Sequence, residues 1–323
     1  MAKSAKQEKA RLNRLVVGME KDLQRSFMLF IRSATSTEVM SEVTDLLEAG
    51  KIGQAMAIVD KHIANMGRAL HRVMSEAGVD EAKNLSNQLG PALASSFDPG
   101  NQRAARIMRE NQLRFDADLR ESQRQAIRQA LVRALTEGKS GRDSARAFRD
   151  AIGLNAQQEA AVSRYAQLLS EGNASRAEAL RRQLRDKRFD DTVRNSIKNN
   201  RPLSQAEIDK MVGRYRDRAR QARAEMIGRT EATNAFGVGR EEALRQVTEN
   251  AGIDTSRIVR TWNSTGDGRT RDTHSSMNQQ KRGMNEAFQS PSKARIMYPG
   301  DRSAPASETI HCRCVVTNSV KAP

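Results

Sequence analysis

The sequence predicts a mainly α-helical protein, with an elongated helical bundle body and a small C-terminal α+β domain. Three observations carry that expectation. Apolar residues recur at spacings of three and four over most of the first 250 positions, the period of helices with one buried face. Aromatic residues make up only 4% of the 323, and hydrophobic residues 37%, which favours long helices over a thick globular core. The stretch from Arg260 to Cys314 breaks the period. It holds the only Trp, the only two Cys and two of the four His, among turns rich in Gly, Pro and Ser.

From Arg11 to Ile31 the residues Leu12, Leu15, Val16, Met19, Leu23, Phe27 and Phe30 form one helical stripe. A second helix is expected to start at Ser36 or Thr37, bury Val39, Val43, Leu46 and Leu47, and stop at Gly50. A third carries Ile52, Met56, Val59, Ile63, Met66, Leu70 and Val73 as far as Gly78. Short connections between the three predict an antiparallel bundle. The methionines at 19, 28, 40, 56, 66 and 74 read as adaptable core.

The Gly, Pro and Ser of LGPALASSFDPGN, Leu89 to Asn101, mark a domain boundary. A long helix follows, with Ile107, Leu113 or Arg114, Phe115, Leu119, Ile127, Leu131 and Leu135 as its intermittent apolar positions, and GKSG at 138–141 breaks it. That tetrapeptide lacks the upstream glycine and strand of a phosphate-binding loop. Further helices lead to a loop at 199–202, where Ser204 and Glu207 read as a capping box. The helix they open buries Ile208, Met211, Val212 and Tyr215 and ends near Asn250. The expected division is a helical bundle over 1–98, a basic helical region over 99–200, and a long helix with the small α+β head over 201–323.

The formal net charge of +16 is uneven along the chain: +1 over 1–100, +8 over 101–200, +1 over 201–255 and +6 over 256–323. Such an excess favours a polyanionic partner, double-stranded DNA first, through counterion release. The competing reading is solvated helix faces with Arg chosen for helix propensity. Arg181, Arg182, Arg185, Lys187 and Arg188 form the densest basic cluster and are the candidate nucleic-acid contacts. No aromatic or groove-reading motif accompanies them. Two Cys in one C-x-C make no disulfide framework, and the N-terminus lacks the apolar core of a signal peptide. The longest apolar run there, Phe27 to Ile31, is too short to span a bilayer. Synthesis in a cytosol and no membrane segment are expected.

In the head, Ile258, Val259 and Trp262 suggest a strand, Gly266-Asp267-Gly268 a tight turn, and Asp272 and His274 a helix start. An enzyme using Asp272 and His274, a nuclease or transferase, is the minor reading. The sequence offers Asp267 and Ser275 nearby but no recognised nucleophile pattern. Metal binding is the sharper expectation. If ETIHCRCVVTNSV is a strand, Cys312 and Cys314 share a face and His311 points away. His274 then becomes the third ligand, with Asp272, Asp267 or water as the fourth, and zinc is the ion that suits this set. No cofactor is otherwise required. The alternative is that both thiols pack as small apolar groups; a disulfide between them would be strained. Arg260, Arg269, Arg271, Lys281, Arg282, Lys293, Arg295 and Arg302 either pin loops by pairing with Asp267, Asp272 and Asp301 or face DNA.

The order GLNAQQEAAVSRYAQLL, LRDKRFDDTVRNSI, the long helix with Arg229-Thr230-Glu231, TWNSTGDGRTRDTH and HCRC resembles the phage head morphogenesis family, minor capsid proteins similar to the F protein of phage Mu. The resemblance runs from Ala147 to Val316. It implies a structural virion protein of the capsid interior, made in the host cytoplasm and associated with the portal. It also implies help in DNA packaging, retention or ejection. Scaffolding or major capsid protein and a homo-oligomer around the portal are further implied partners. An internal DNA-binding protein ejected into the host is the alternative. Arg229, Glu231, Trp262, Asp267 and Arg271 are the residues expected to matter structurally, with His274, Cys312 and Cys314 fastening the C-terminal strand. Some relatives carry toxin or enzyme cargo beyond the C-x-C; with nine residues after Cys314, none is expected here. Two departures stand out. Gly228 replaces a small alanine, and Asn278-Gln279-Gln280 stands where a glycine commonly follows the histidine, which is expected to loosen that turn.

Overall fold

The computed structural model describes residues 5–89 and 97–321. Among them lie eleven α-helices, with short antiparallel strands near the C-terminus. Most of the expected Leu89–Asn101 boundary, residues 90–96, lies outside the described residues.

Helix α1 (Ala5–Ala34) buries Leu12, Val16, Met19, Leu23, Phe27 and Phe30 along its predicted stripe. Ser36 caps α2 (Thr37–Glu48) by accepting from the Val39 amide at 3.4 Å. Helix α3 (Ile52–Leu89) does not stop at Gly78. Glu81, Ala82, Lys83 and Leu85 beyond it are good helix formers, and the missing side chain at 78 makes room for the ring of Phe97. Met19, Met56, Met66 and Met74 are buried and Met28 and Met40 half-buried, so the methionines are core. Helix α4 (Gln102–Thr136) ends before Gly138, and Ser140 caps α5 (Gly141–Ala151). Next come α6 (Ala156–Ser170), α7 (Asn173–Ala179), α8 (Asp190–Lys198) and the 46-residue α9 (Gln205–Asn250). The Ser204–Glu207 capping box is formed reciprocally: the Ser204 amide donates to Glu207 Oε2 at 2.8 Å and the Glu207 amide to Ser204 Oγ at 3.3 Å.

Two compact units arise from separate chain segments, with boundaries inside α1, α3, α4 and α9. One comprises residues 27–64 and 117–224. Its core gathers Leu154, Val162, Tyr165, Leu168, Val193, Ile208, Met211 and Tyr215, with Tyr165 and Tyr215 stacked at 4.4 Å, and α2 packs on α5. The buried Gln123 amide spans the turn after α5, donating to the Ala151 carbonyl at 2.9 Å and accepting from the Gly153 amide at 2.8 Å.

The other unit comprises residues 1–26, 65–116 and 225–323. Here β1 (Ile258–Asn263) lies between β2 (Lys281–Arg282) and β5 (Val315–Val320), antiparallel to both, with Trp262 opposite Val316. A separate hairpin pairs β3 (Phe288–Gln289) with β4 (Arg295–Ile296). Trp262, Met277, Phe288, Ile296, Cys312, Cys314 and Val316 form the core beneath. A buried polar network ties this sheet to the helices. Glu81 on α3 accepts from Arg240 on α9 and, at 2.9 Å, from Asn318 on β5, while Arg240 also donates to the Val316 carbonyl at 2.9 Å. A buried charge is tolerable only with partners of this kind.

Candidate functional site

The head closes around His274, which sits on the single helical turn α10 (Asp272–Ser276) and is 2% exposed. Its ring lies edge-on to Trp262 at 5.3 Å, and Trp262 is itself fully buried against Phe288. Nδ1 faces two sulfurs, Cys314 Sγ at 3.4 Å and Cys312 Sγ at 3.6 Å. The three ligand atoms lie within 4.8 Å of one another, and both cysteines are free thiols. Cys312 and Cys314 are buried while His311 is exposed, the separation the sequence led one to expect. The strand itself is shorter than expected. Residues 306–309 form the helical turn α11 (Ala306–Thr309), His311 takes a left-handed φ of 58°, and β5 begins only at Val315.

On the far side of the imidazole, Nε2 lies 2.9 Å from Glu308 Oε2. The approach is off the line of a straight N–H donation, so the contact is chiefly electrostatic. Glu308 is buried and accepts from the hydroxyls of Ser292 at 2.5 Å, Ser290 at 3.0 Å and Thr273 at 3.1 Å. Burial alone would raise its pKa, but these hydroxyls and His274 bring it below the usual value. His274 is pushed down by burial and lifted further by Cys312 and Glu308, so its net direction is up. Cys312 falls well below the usual thiol value chiefly because Cys314 donates to it, and Cys314 rises for the same reason and because it is buried.

The Arg229-Thr230-Glu231 stretch of α9 is the platform for the C-x-C segment. Thr230 Oγ1 accepts from the His311 amide at 3.2 Å, and Thr233 Oγ1 donates to the Cys312 carbonyl at 3.1 Å. Glu231 pairs with Arg302, and Arg229 lies 3.5 Å from Glu20 on α1. From the other side, Asp267 holds Arg313 through two contacts of 2.5 and 2.6 Å, which leaves its pKa well below the ordinary range. Arg271 donates to the Ile310 carbonyl, and Thr265 to that of Arg313 at 2.8 Å.

Several expectations change in this light. Asp267 is committed to Arg313 and Asp272 is exposed, so neither joins the ligand cluster. Both His274 nitrogens are occupied by groups other than Asp272, and the two form no acid–base pair. Arg260 does not face DNA: it is fully buried, donating to Glu241 and to three backbone carbonyls. Asp301 caps the Met297 and Ser303 amides at 2.8 and 2.9 Å. The turn after His274 is tied down, since left-handed Gln279 (φ 65°) donates its amide to the Trp262 carbonyl at 2.8 Å. Glu308, Thr230 and Thr233 are the partners that reading the sequence misses. Pro305 ahead of Ala-Ser-Glu was the available signal for a helical turn at Glu308.

The basic cluster lies around α7 and α8, and much of it is paired. Arg182 meets Glu178 at 2.9 Å, Arg185 meets Asp190 at 2.9 Å and Arg188 meets Asp186 at 2.6 Å. Arg181 and Lys187 are exposed and carry no ion pair among the described residues. An open cleft of about 590 Å³ in the same unit is lined by both signs of charge and bridged by Arg133–Glu159 and Arg216–Asp150, which is no selective anion site.

The family model described as phage Mu protein F like protein matches residues 125–317. No curated protein and no solved structure gives a match.

Proposed function

Because the chain belongs to the phage Mu protein F-like family, a phage head morphogenesis family, we propose that it acts as a minor head protein docked on the portal inside the procapsid. There it assists DNA packaging, retention or ejection through nonspecific DNA contacts. The observation that carries this reading is the family match over residues 125–317. Two physical features support it. The match ends in a head whose buried polar residues, Arg260, Asp301 and Glu308 among them, hold its own segments together, as suits a structural part rather than a catalyst. The net charge of +16 suits a protein that works beside packaged DNA. Among the described residues no helix is long and apolar enough to cross a membrane.

The test is a density map of the portal region in intact heads, paired with co-purification of the chain with portal protein. Density for α9 and the head at the portal, and retention on portal rings, is the expected outcome. A chain that distributes through the major capsid lattice and ignores portal rings would sink the portal reading and leave the family assignment standing.

A further inference from the structure

We propose that His274 Nδ1, Cys312 Sγ and Cys314 Sγ bind one zinc ion, with water as the fourth ligand, and that the ion clips the C-terminal strand to the turn after β1. This does not depend on the portal reading. Zn–S bonds of about 2.3 Å and Zn–N bonds of about 2.0–2.1 Å at a tetrahedral centre set the nitrogen–sulfur edge at about 3.5 Å. The observed edges, 3.4 and 3.6 Å, bracket it. The donors are two soft sulfurs and an imidazole, a set suited to zinc rather than to the hard cations that prefer oxygen.

A carboxylate stands behind the imidazole. A histidine that ligates through one nitrogen commonly offers the other to a carboxylate, which fixes the ring and raises its basicity. Glu308 occupies that place at 2.9 Å, itself held by Ser290, Ser292 and Thr273. Two thiols packed as apolar filling would need neither a nitrogen aimed at both sulfurs nor a buried carboxylate beyond it. Both sulfurs bind as thiolates, so loading releases their thiol protons to solvent.

Occupancy would matter mechanically. The C-x-C segment precedes the residues of β5 that pair with β1, which begin at Val315, and its backbone leans on Thr230, Thr233 and Thr265. An ion would add a direct link between residues 274 and 312–314.

The experiment uses the full chain, reduced and freed of metal with chelator, then titrated with Co²⁺ alone. The expected result is one ion per chain, with the strong visible bands of a tetrahedral site and a near-ultraviolet thiolate-to-cobalt band. Zinc should displace it and raise the melting temperature. Cys312→Ser and Cys314→Ser should each weaken the thiolate band, and Glu308→Gln should keep the spectrum while lowering affinity about 10–100-fold. If a serine variant fails to fold, the wild-type spectrum still decides. A folded, reduced wild-type chain giving only weak octahedral bands, or none, with melting unmoved by zinc, would overturn the proposal.

Discussion

The Arg260 side chain leaves β1 for a position with no solvent exposure, where it donates to the carbonyls of Met284 and Glu286, 3.2 Å each, to that of Met297, and to Glu241 at 2.7 Å. A guanidinium serves several acceptors at once from one plane; a lysine ammonium has neither the spread nor the fixed geometry. Arg260→Lys should therefore strand buried carbonyls and destabilise the head by about 2–5 kcal/mol. Urea unfolding followed by fluorescence of Trp262, the only tryptophan and fully buried beside this site, reads the loss directly. An unchanged midpoint would mean the clamp contributes nothing. The sequence did hold a sign of this burial. Ile258, Arg260 and Trp262 alternate on one face of β1, and all three are buried. The rule that arginine stays outside outweighed the alternation. Glu308 was less legible still, because its role depends on loops from residues 273, 290 and 292 converging on it.

Helix α9 shows the same limit at the scale of an element. Its extent and its capping box follow from periodicity and the Ser-x-x-Glu pattern, which are local. What packs on it is not local. A side chain at Gly228 would meet Gln24 Cγ at 2.6 Å and the Glu20 carbonyl at 2.7 Å, and one at Gly239 would press on the Met74 carbonyl. The glycine at 228 thus has a physical reason: α1 approaches too closely for alanine. Alanine has the better helix propensity by about 1 kcal/mol, so a loss on substitution isolates the packing cost. Gly228→Ala and Gly239→Ala should each destabilise by about 1–3 kcal/mol, the second more because its carbonyl obstacle lies closer. A stabilised Gly228→Ala in thermal unfolding would show that α1 yields easily. At the other end, Arg201, Ser204 and burial set the Glu207 pKa, with Arg201 foremost, at about 2 against an ordinary 4.5. A depressed carboxylate contributes stability that is full above about 4.5 and lost as pH falls toward 2. The stability gap between wild type and Glu207→Gln should be near 1 kcal/mol at neutral pH and close between pH 4.5 and 2. A gap independent of pH would assign the effect to something other than this ionised cap.

At the scale of the whole molecule, the charge asymmetry read along the chain does not survive folding. The unit built from 27–64 and 117–224 has 27 basic residues against 19 acidic, and the other has 28 against 20, so each carries +8. Periodicity announces that a helix has a face to bury without saying which distant segment covers it, and hence which charges end up together. Folding also sorts the basic cluster. Arg185 is closed on Asp190 by two bonds of 2.9 Å and the exposed Arg188 is paired with Asp186, whereas Arg181 and Lys187 carry no ion pair among the described residues. If the chain contacts DNA through this surface, the unpaired cations supply the counterion release, each lowering the slope of log affinity against log salt by about 0.9. The double change Arg181→Ala with Lys187→Ala should flatten that slope by about 1.8 and leave unfolding unchanged. Arg185→Ala should do the reverse, with little effect on the slope but a loss of stability, because it leaves Asp190, only 7% exposed, without its closest cation. Fluorescence anisotropy with a duplex of arbitrary sequence over a salt series separates the two. A slope insensitive to the double change would move the DNA contact away from α7 and α8, and no binding at low salt would remove it from the protein.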